Sequence, residues 1–166
     1  SNPQVPDRTA AIQGEGPDPL PILVAGAEVL IQGGADLITI PCVTAHHYYD
    51  PLQRAISVPI LHLVGETVTA VVGEYPGLRR LGLLATTGTL QSRLFEHYFE
   101  PRGFTILRPD PMVQDSTVME AIYAVKHGEP LERARRLIHE AARHLQGQGA
   151  EGQLAEDTRV PGGGRG

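Results

Sequence analysis

Short apolar runs alternate with stretches of helical periodicity along most of this chain, and that alternation restricts the fold more than any other feature. Residues 36–42 (DLITIPC) are almost continuously apolar, the pattern of a strand covered on both faces in a parallel sheet. Before them, Asp18 and Pro19 signal a helix start, and Leu20, Leu23, Val24, Ala27, Leu30 and Ile31 recur on one face until Gly33 and Gly34 stop the helix. After them, a helix is expected to begin between 45 and 50. Residues 58–63 (VPILHL) repeat the strand signal, and Val64, Thr67, Val68, Val71, Val72 and Tyr75 mark a helix ended by Pro76 and Gly77. Residues 80–85 (RLGLLA) form a third buried strand followed by a TTGT turn. Leu90, Leu94, Phe95, Tyr98 and Phe99 then line a helix closed by Gly103, before a strand at 104–107. A helix over about 115–127, capped by Gly128, and another through Leu131, Ala134, Ile138, Ala141 and Leu145 complete the pattern. Alternation of this kind predicts an α/β architecture with mostly parallel sheets flanked by helices. The turn at Pro76 and Gly77 divides it into lobes 1–76 and 77–150.

Two segments resemble each other, LIQGGADLITIPC and HLQGQGAEGQLAED, each with a helix end, a glycine stop and Ala-Asp or Ala-Glu before a strand position. In the second copy, residues 152–157 lack the apolar, β-branched character of a buried strand and lead into VPGGGRG. Residues 151–166 are therefore expected to be a disordered tail.

Composition narrows the partners. Fourteen Lys and Arg against 19 Asp and Glu give a formal charge of −5, which argues against a nucleic-acid partner. The single cysteine excludes an intrachain disulfide framework or a zinc site needing several thiolates, and suits a reducing compartment. No apolar run approaches the roughly 20 residues that span a bilayer, and no signal-peptide pattern opens the chain. A soluble, cytoplasmic protein with no membrane partner is expected. The chain starts on Ser1, in a phrase (SNPQVPDR) that reads as the end of a strand and a loop, and is expected to lie inside a longer frame.

In an open α/β sheet, ligands bind beyond the carboxyl ends of strands, where loops feed helix N-termini. Residues 41–47 (PCVTAHH) and 85–89 (ATTGT) fit that description and offer hydroxyls and amides suited to a carboxylate, although Thr and Gly also turn strands into helices for structural reasons alone. Cys42 closes a strand at such a mouth. A following helix N-terminus would favour its thiolate, as base or nucleophile; the same residue equally reads as a buried core cysteine. His46 is the better placed of the two neighbouring histidines to pair with the thiol, and His47 is expected in solvent. Arg133, Arg135, Arg136 and Arg143 read as the solvated face of the last helix.

Taken together and in order, SNPQVPDRTAAI, GADLITIPCVTAHHYYD, VPILHLVGET, LGLLATTGTLQSRLFEHYF and IYAVKHGE resemble the aspartate/glutamate racemase family, most closely its aspartate racemases, from Ser1 to about Glu151. The resemblance implies two pseudo-symmetric α/β lobes with the substrate in the cleft between them, no cofactor and no metal, and a homodimer. It implies that one cysteine removes the α-proton and a cysteine of the other lobe returns one to the opposite face, since a carbanion reprotonated from its original side regenerates the starting enantiomer. Cys42 matches the first-lobe cysteine. Thr44 and the Thr87, Gly88, Thr89 loop match positions that hold the α-carboxylate and amino group. Arg8 matches an arginine that contacts an acidic amino-acid substrate, and Lys126 a lysine near the cleft; without the resemblance, either is an ordinary surface charge.

The chain also departs from the family pattern. Val43 stands where Asn follows the cysteine. The opening strand with its GGMGP turn does not occur, which would leave a bare strand edge in the first lobe, and the GCTE phrase carrying the second cysteine does not occur either. Applying the first-lobe interval to Ala150 and Glu151 lands on Asp157, followed by Thr158, as a conceivable second base. These departures imply impaired racemisation, as from a clipped or frameshifted reading frame. The alternative is a non-catalytic dicarboxylate-binding module or fragment. A nucleotide-binding Rossmann domain is disfavoured because no G-x-G-x-x-G follows a strand.

Overall fold

The computed structural model describes residues 4–155. Near the start, the Asp7 carboxylate accepts a hydrogen bond from the Ala10 N–H at 2.9 Å and caps a short helix, α1 (Arg8–Ile12). Residues 4–7 form the turn and loop expected of that phrase, and only its last residue, Arg8, is already helical; the strand-end part of the reading falls on residues 1–3, outside the described residues. Asp18 likewise accepts from the Leu20 N–H at 2.9 Å, and α2 (Leu20–Gln32) follows Pro19 and ends at Gly33 and Gly34, the latter at φ +91°.

The strand β1 (Ile38–Thr39) pairs parallel to β2 (Ile60–Leu61), with Ile38 opposite Ile60. The apolar run 36–42 predicted a longer strand. Pro41 offers no N–H to extend the ladder. Between these strands lie a 3₁₀ turn, Thr44–Tyr48, and α3 (Tyr49–Ala55). Gln53 of α3 fixes the approach to β2 by donating to the Val58 carbonyl at 3.0 Å and accepting from the Ile60 N–H at 2.7 Å. After β2 comes α4 (Leu63–Glu74). Ala27, Ile38, Leu52 and Ile60 form the buried core here, with Leu23, Val24 and Ile31 of α2 packed on it as the helical periodicity predicted, whereas Leu30, assigned to the same face, is exposed. Among the described residues β1 and β2 pair only with each other, so each has one unpaired edge.

The second group of strands has the order β4–β3–β5, all parallel: β3 (Arg80–Leu84), β4 (Thr105–Leu107) and β5 (Gly152–Ala155). After β3, the expected TTGT turn is already helical, since α5 (Thr87–Ser92) starts inside it. The single helix expected through Phe99 is two, α5 and α6 (Leu94–Phe99), broken at Arg93, which adopts φ 53°. Ser92 serves both sides of the break, donating to the Thr89 carbonyl at 2.7 Å and accepting from the Leu94 N–H at 3.3 Å. The helix expected over 115–127 starts earlier and contains wide turns: α7 (Pro111–Val113), a π-helical stretch Gln114–Met119, then α8 (Glu120–Lys126). The 17-residue α9 (Leu131–Gly147) buries Ala134, Ile138, Ala141 and Leu145, the face its sequence spacing indicated. It lies close on β3 at Gly82, where an added Cβ would come within 2.9 Å of Leu145.

The strand β5 corrects the reading of a disordered tail for residues 152–155; residues 156–166 of that reading lie outside the described residues. Leu83 pairs with Leu154 and Leu84 with Ala155, so β3 supplies the ladder that the GQLA segment's own side chains do not advertise. The internal resemblance is therefore structural: α2, Gly34 and β1 in one place, α9, Gly149 (φ +93°) and β5 in the other. The chain divides into two units, Ser1–Pro76 with Gly88–Tyr98 and Gly77–Thr87 with Phe99–Gly166. Chain order assigned 88–98 to the second lobe; it belongs with the first unit. No helix among the described residues is long and apolar enough to cross a membrane.

Candidate active site

Cys42 follows β1 and Pro41, and the residue is partly exposed. The backbone then tightens: the Ala45 N–H donates to the Cys42 carbonyl at 3.2 Å and the His46 N–H to the Val43 carbonyl at 2.8 Å, giving a 3₁₀ turn ahead of α3, which starts at Tyr49, within the expected 45–50. A five-residue turn lacks the aligned peptide dipoles of a long helix.

His46 is 2% exposed. Its Nδ1 lies 3.0 Å from the Cys42 carbonyl oxygen, and its Nε2 accepts from the Leu63 N–H at 3.1 Å. A carbonyl only accepts and an amide N–H only donates, so these partners assign a neutral ring protonated on Nδ1. Both nitrogens are thus engaged by main-chain atoms, which corrects the expected imidazole–thiol pair: His46 meets Cys42 through its carbonyl. His47 is exposed. Sequence reasoning passed over His62, which caps α4 by accepting from the Gly65 N–H at 3.0 Å. Its ring lies 5.0 Å from that of His46, 4.4 Å from Tyr49 and 4.5 Å from Tyr98. Burial pushes the His62 pKa below the ordinary imidazole value.

Two residues beyond Cys42, the Thr44 hydroxyl lies 3.0 Å from that of Thr89, both residues being buried. A loop after β1 and the start of α5 therefore converge, bringing together two of the hydroxyls singled out in the sequence. Gly88 is buried against α1: a Cβ there would stand 2.7 Å from Thr9 Oγ1 and 2.9 Å from Thr9 Cα. That contact sets Gly88 beside the residue next to Arg8, whose guanidinium donates to the Pro6 carbonyl at 2.9 Å. Cys42, Thr44, Gly88, Thr89 and Arg8 all belong to the first unit.

Thr87 and Lys126 belong to the second. The Thr87 N–H donates to Met119 Sδ at 3.4 Å, and its hydroxyl lies 3.4 Å from Gln114 Nε2, which also donates to the Ala85 carbonyl at 2.9 Å. Gln114, 5% exposed, went unnoticed in the sequence; a glutamine on the buried face of an otherwise apolar helix is the signal that could have found it. Lys126 is exposed in the last turn of α8, with Nζ 6.0 Å from the Tyr123 ring centre. Asp157 and Thr158 lie outside the described residues. Among the described residues, no group of three or more His, Cys, Asp or Glu side chains is placed to hold a metal ion.

Against known proteins, residues 1–152 match the model of the Asp/Glu/hydantoin racemase family. The chain is 32% identical over 115 residues to the broad specificity amino-acid racemase RacX of Bacillus subtilis, covering 69% of this chain and 48% of that one. In structure it is similar to the Picrophilus torridus aspartate racemase, with a TM-score of 0.72 and 23% identity over 89% of this chain and 60% of that one. It is similar also to an aspartate racemase homologue from Pyrococcus horikoshii, with a TM-score of 0.68 and 22% identity over 86% and 62%. The α/β fold with parallel sheets flanked by helices is therefore that of the aspartate racemases, of which this chain spans part. The chain belongs to the Asp/Glu/hydantoin racemase family.

Proposed function

We propose that this chain acts in amino-acid racemisation, with Cys42 as the base that removes the α-proton from one face of an acidic amino acid. The observation that carries the reading is the partly exposed Cys42 in the loop that leaves the carboxyl end of β1, two residues before the buried Thr44–Thr89 hydroxyl pair. A thiolate takes the proton while hydroxyls and amides hold the carboxylate, whose negative charge grows as the carbanion forms. Thr44, Gly88 and Thr89 are the candidates to hold that carboxylate, the Arg8 guanidinium suits a distal one, and Thr87 and Lys126 are candidates through the family resemblance alone. No cofactor is required, and the reading takes the enzyme as cytoplasmic and homodimeric. With one cysteine in the chain, proton exchange outpaces inversion, because a single base returns the proton to the face it left.

The test is incubation with L-aspartate in deuterated water, following loss of the α-proton signal by NMR and D-aspartate by chiral chromatography. Exchange that exceeds inversion and disappears in Cys42→Ala is expected. Exchange that survives in Cys42→Ala would remove Cys42 from the chemistry, and inversion as fast as exchange would show a second base at work. Calorimetric binding of aspartate without exchange would favour the dicarboxylate-binding alternative. The broad specificity in the name of RacX is reason to run neutral amino acids alongside.

A further inference from the structure

His46 contacts neither solvent nor, through its ring nitrogens, the thiol, yet both nitrogens are used. From the geometry we infer that His46 is a positioning residue for Cys42: its Nδ1–H holds the Cys42 carbonyl, while its Nε2 anchors the ring to the first residue of α4 through the Leu63 N–H. The inference rests on reading Cys42 as the proton-transfer base and adds the group that sets its place.

The Cys42 carbonyl takes two donors, the Ala45 N–H at 3.2 Å and His46 Nδ1 at 3.0 Å. The first belongs to the 3₁₀ turn and moves with the loop. The second comes from a ring that is 2% exposed, flanked by His62 and anchored to a 12-residue helix, so it refers the loop to something outside itself. A peptide held at its carbonyl cannot rotate freely, and its rotation would swing the Cα–Cβ bond that carries the sulfur. Proton abstraction is sensitive to displacements of this kind, because the donor carbon and the base must meet in a narrow geometry.

The two hydrogen bonds can be separated by substitution. In His46→Asn, the amide nitrogen takes the place of Nδ1 and keeps the donor to Cys42. In His46→Gln, the amide oxygen reaches the place of Nε2 and keeps the acceptor for Leu63. A purely structural role follows the part-buried Leu63 N–H, which costs stability when left without an acceptor, so Gln would then behave better than Asn in every assay. The positioning role predicts a crossing of the two orders. His46→Gln melts higher than His46→Asn, whereas His46→Asn keeps Cys42 alkylation by iodoacetamide within about twofold of native across pH, and His46→Gln departs from it by more than about fivefold. Because the chain has one cysteine, alkylation reports on Cys42 alone. In the deuterium assay, His46→Gln loses about 10- to 100-fold in kcat with KM little changed, and His46→Asn rescues most of it. Alkylation and exchange that instead follow the melting order, with Gln near native and Asn impaired, overturn the inference. If the native protein exchanges no proton, the racemase reading fails, while the alkylation order still decides the role of His46.

Discussion

Gly88→Ala offers a quantitative test of how the candidate site is built. The added Cβ would sit 2.7 Å from Thr9 Oγ1, 2.9 Å from Thr9 Cα and 3.0 Å from Thr9 Cβ, where ordinary contact begins at 3.4 Å. The hydroxyl can rotate away, but Cα is backbone, so α1 must shift by roughly half an ångström or the start of α5 must. Overpacking of this kind costs about 1–3 kcal/mol, and the obstructing atom being main chain argues for the upper half. Alanine returns up to about 1 kcal/mol of helix propensity, leaving a net loss of about 1–2 kcal/mol. For a chain of this size that lowers Tm by about 3–6 °C, measurable by calorimetry or circular dichroism. Gly26→Ala is the matched control: it lies within α2 with nothing within 4 Å of an added Cβ, so it should stabilise by about 0.4–1 kcal/mol. Opposite signs for the same substitution separate packing from propensity. A Gly88→Ala protein that melts at or above the native temperature would refute the close approach of Thr9 in α1 to the start of α5.

His62 should make stability pH-dependent. Its folded pKa is lowered, first by burial, so the unfolded chain takes up a proton near the ordinary imidazole value while the folded one does so only at lower pH. Stability is then complete above that ordinary value and falls as pH drops toward the folded pKa; His62→Asn, which can still cap α4, should flatten this slope in urea titrations, and an unchanged slope would exclude His62 as its source. Glu151 acts in the opposite range. Its Oε2 accepts from the Arg79 N–H at 2.7 Å and the Arg80 N–H at 3.0 Å, and these bonds hold its pKa below the carboxylate norm. Its contribution is present above the unfolded carboxylate pKa and lost as pH falls through the folded one, so Glu151→Gln should be less stable at neutral pH and converge with native in acid.

Local signals carried much of the fold. The spacing of Leu23, Val24, Ala27 and Ile31 identified the buried face of α2, as Ala134, Ile138, Ala141 and Leu145 did for α9, because helical periodicity is a property of the chain itself. The aspartates before α1 and α2 and the glycines after α2 and α9 are equally local, each satisfying its own helix end, although the cap on α1 was overlooked beside its prolines. The resemblance of HLQGQGAEGQLAED to the earlier segment was visible, yet its strand was dismissed, since GQLA lacks the side chains that mark a buried strand.

By itself the sequence determined where helices and most strands lie, which family the chain belongs to, and which two loops carry its hydroxyls and thiol. Tertiary structure decided the rest. β5 exists because β3 offers it a ladder about 70 residues away in the chain, and chain-order reasoning cannot see such a partner. The meeting of Thr44 with Thr89, the seat of Gly88 on Thr9, and the turn of His46 from the thiol to a carbonyl and a helix start are likewise choices among distant partners. Periodicity and caps are written in adjacent residues, whereas a hydrogen bond between remote segments is specified only once packing has brought its donor and acceptor together.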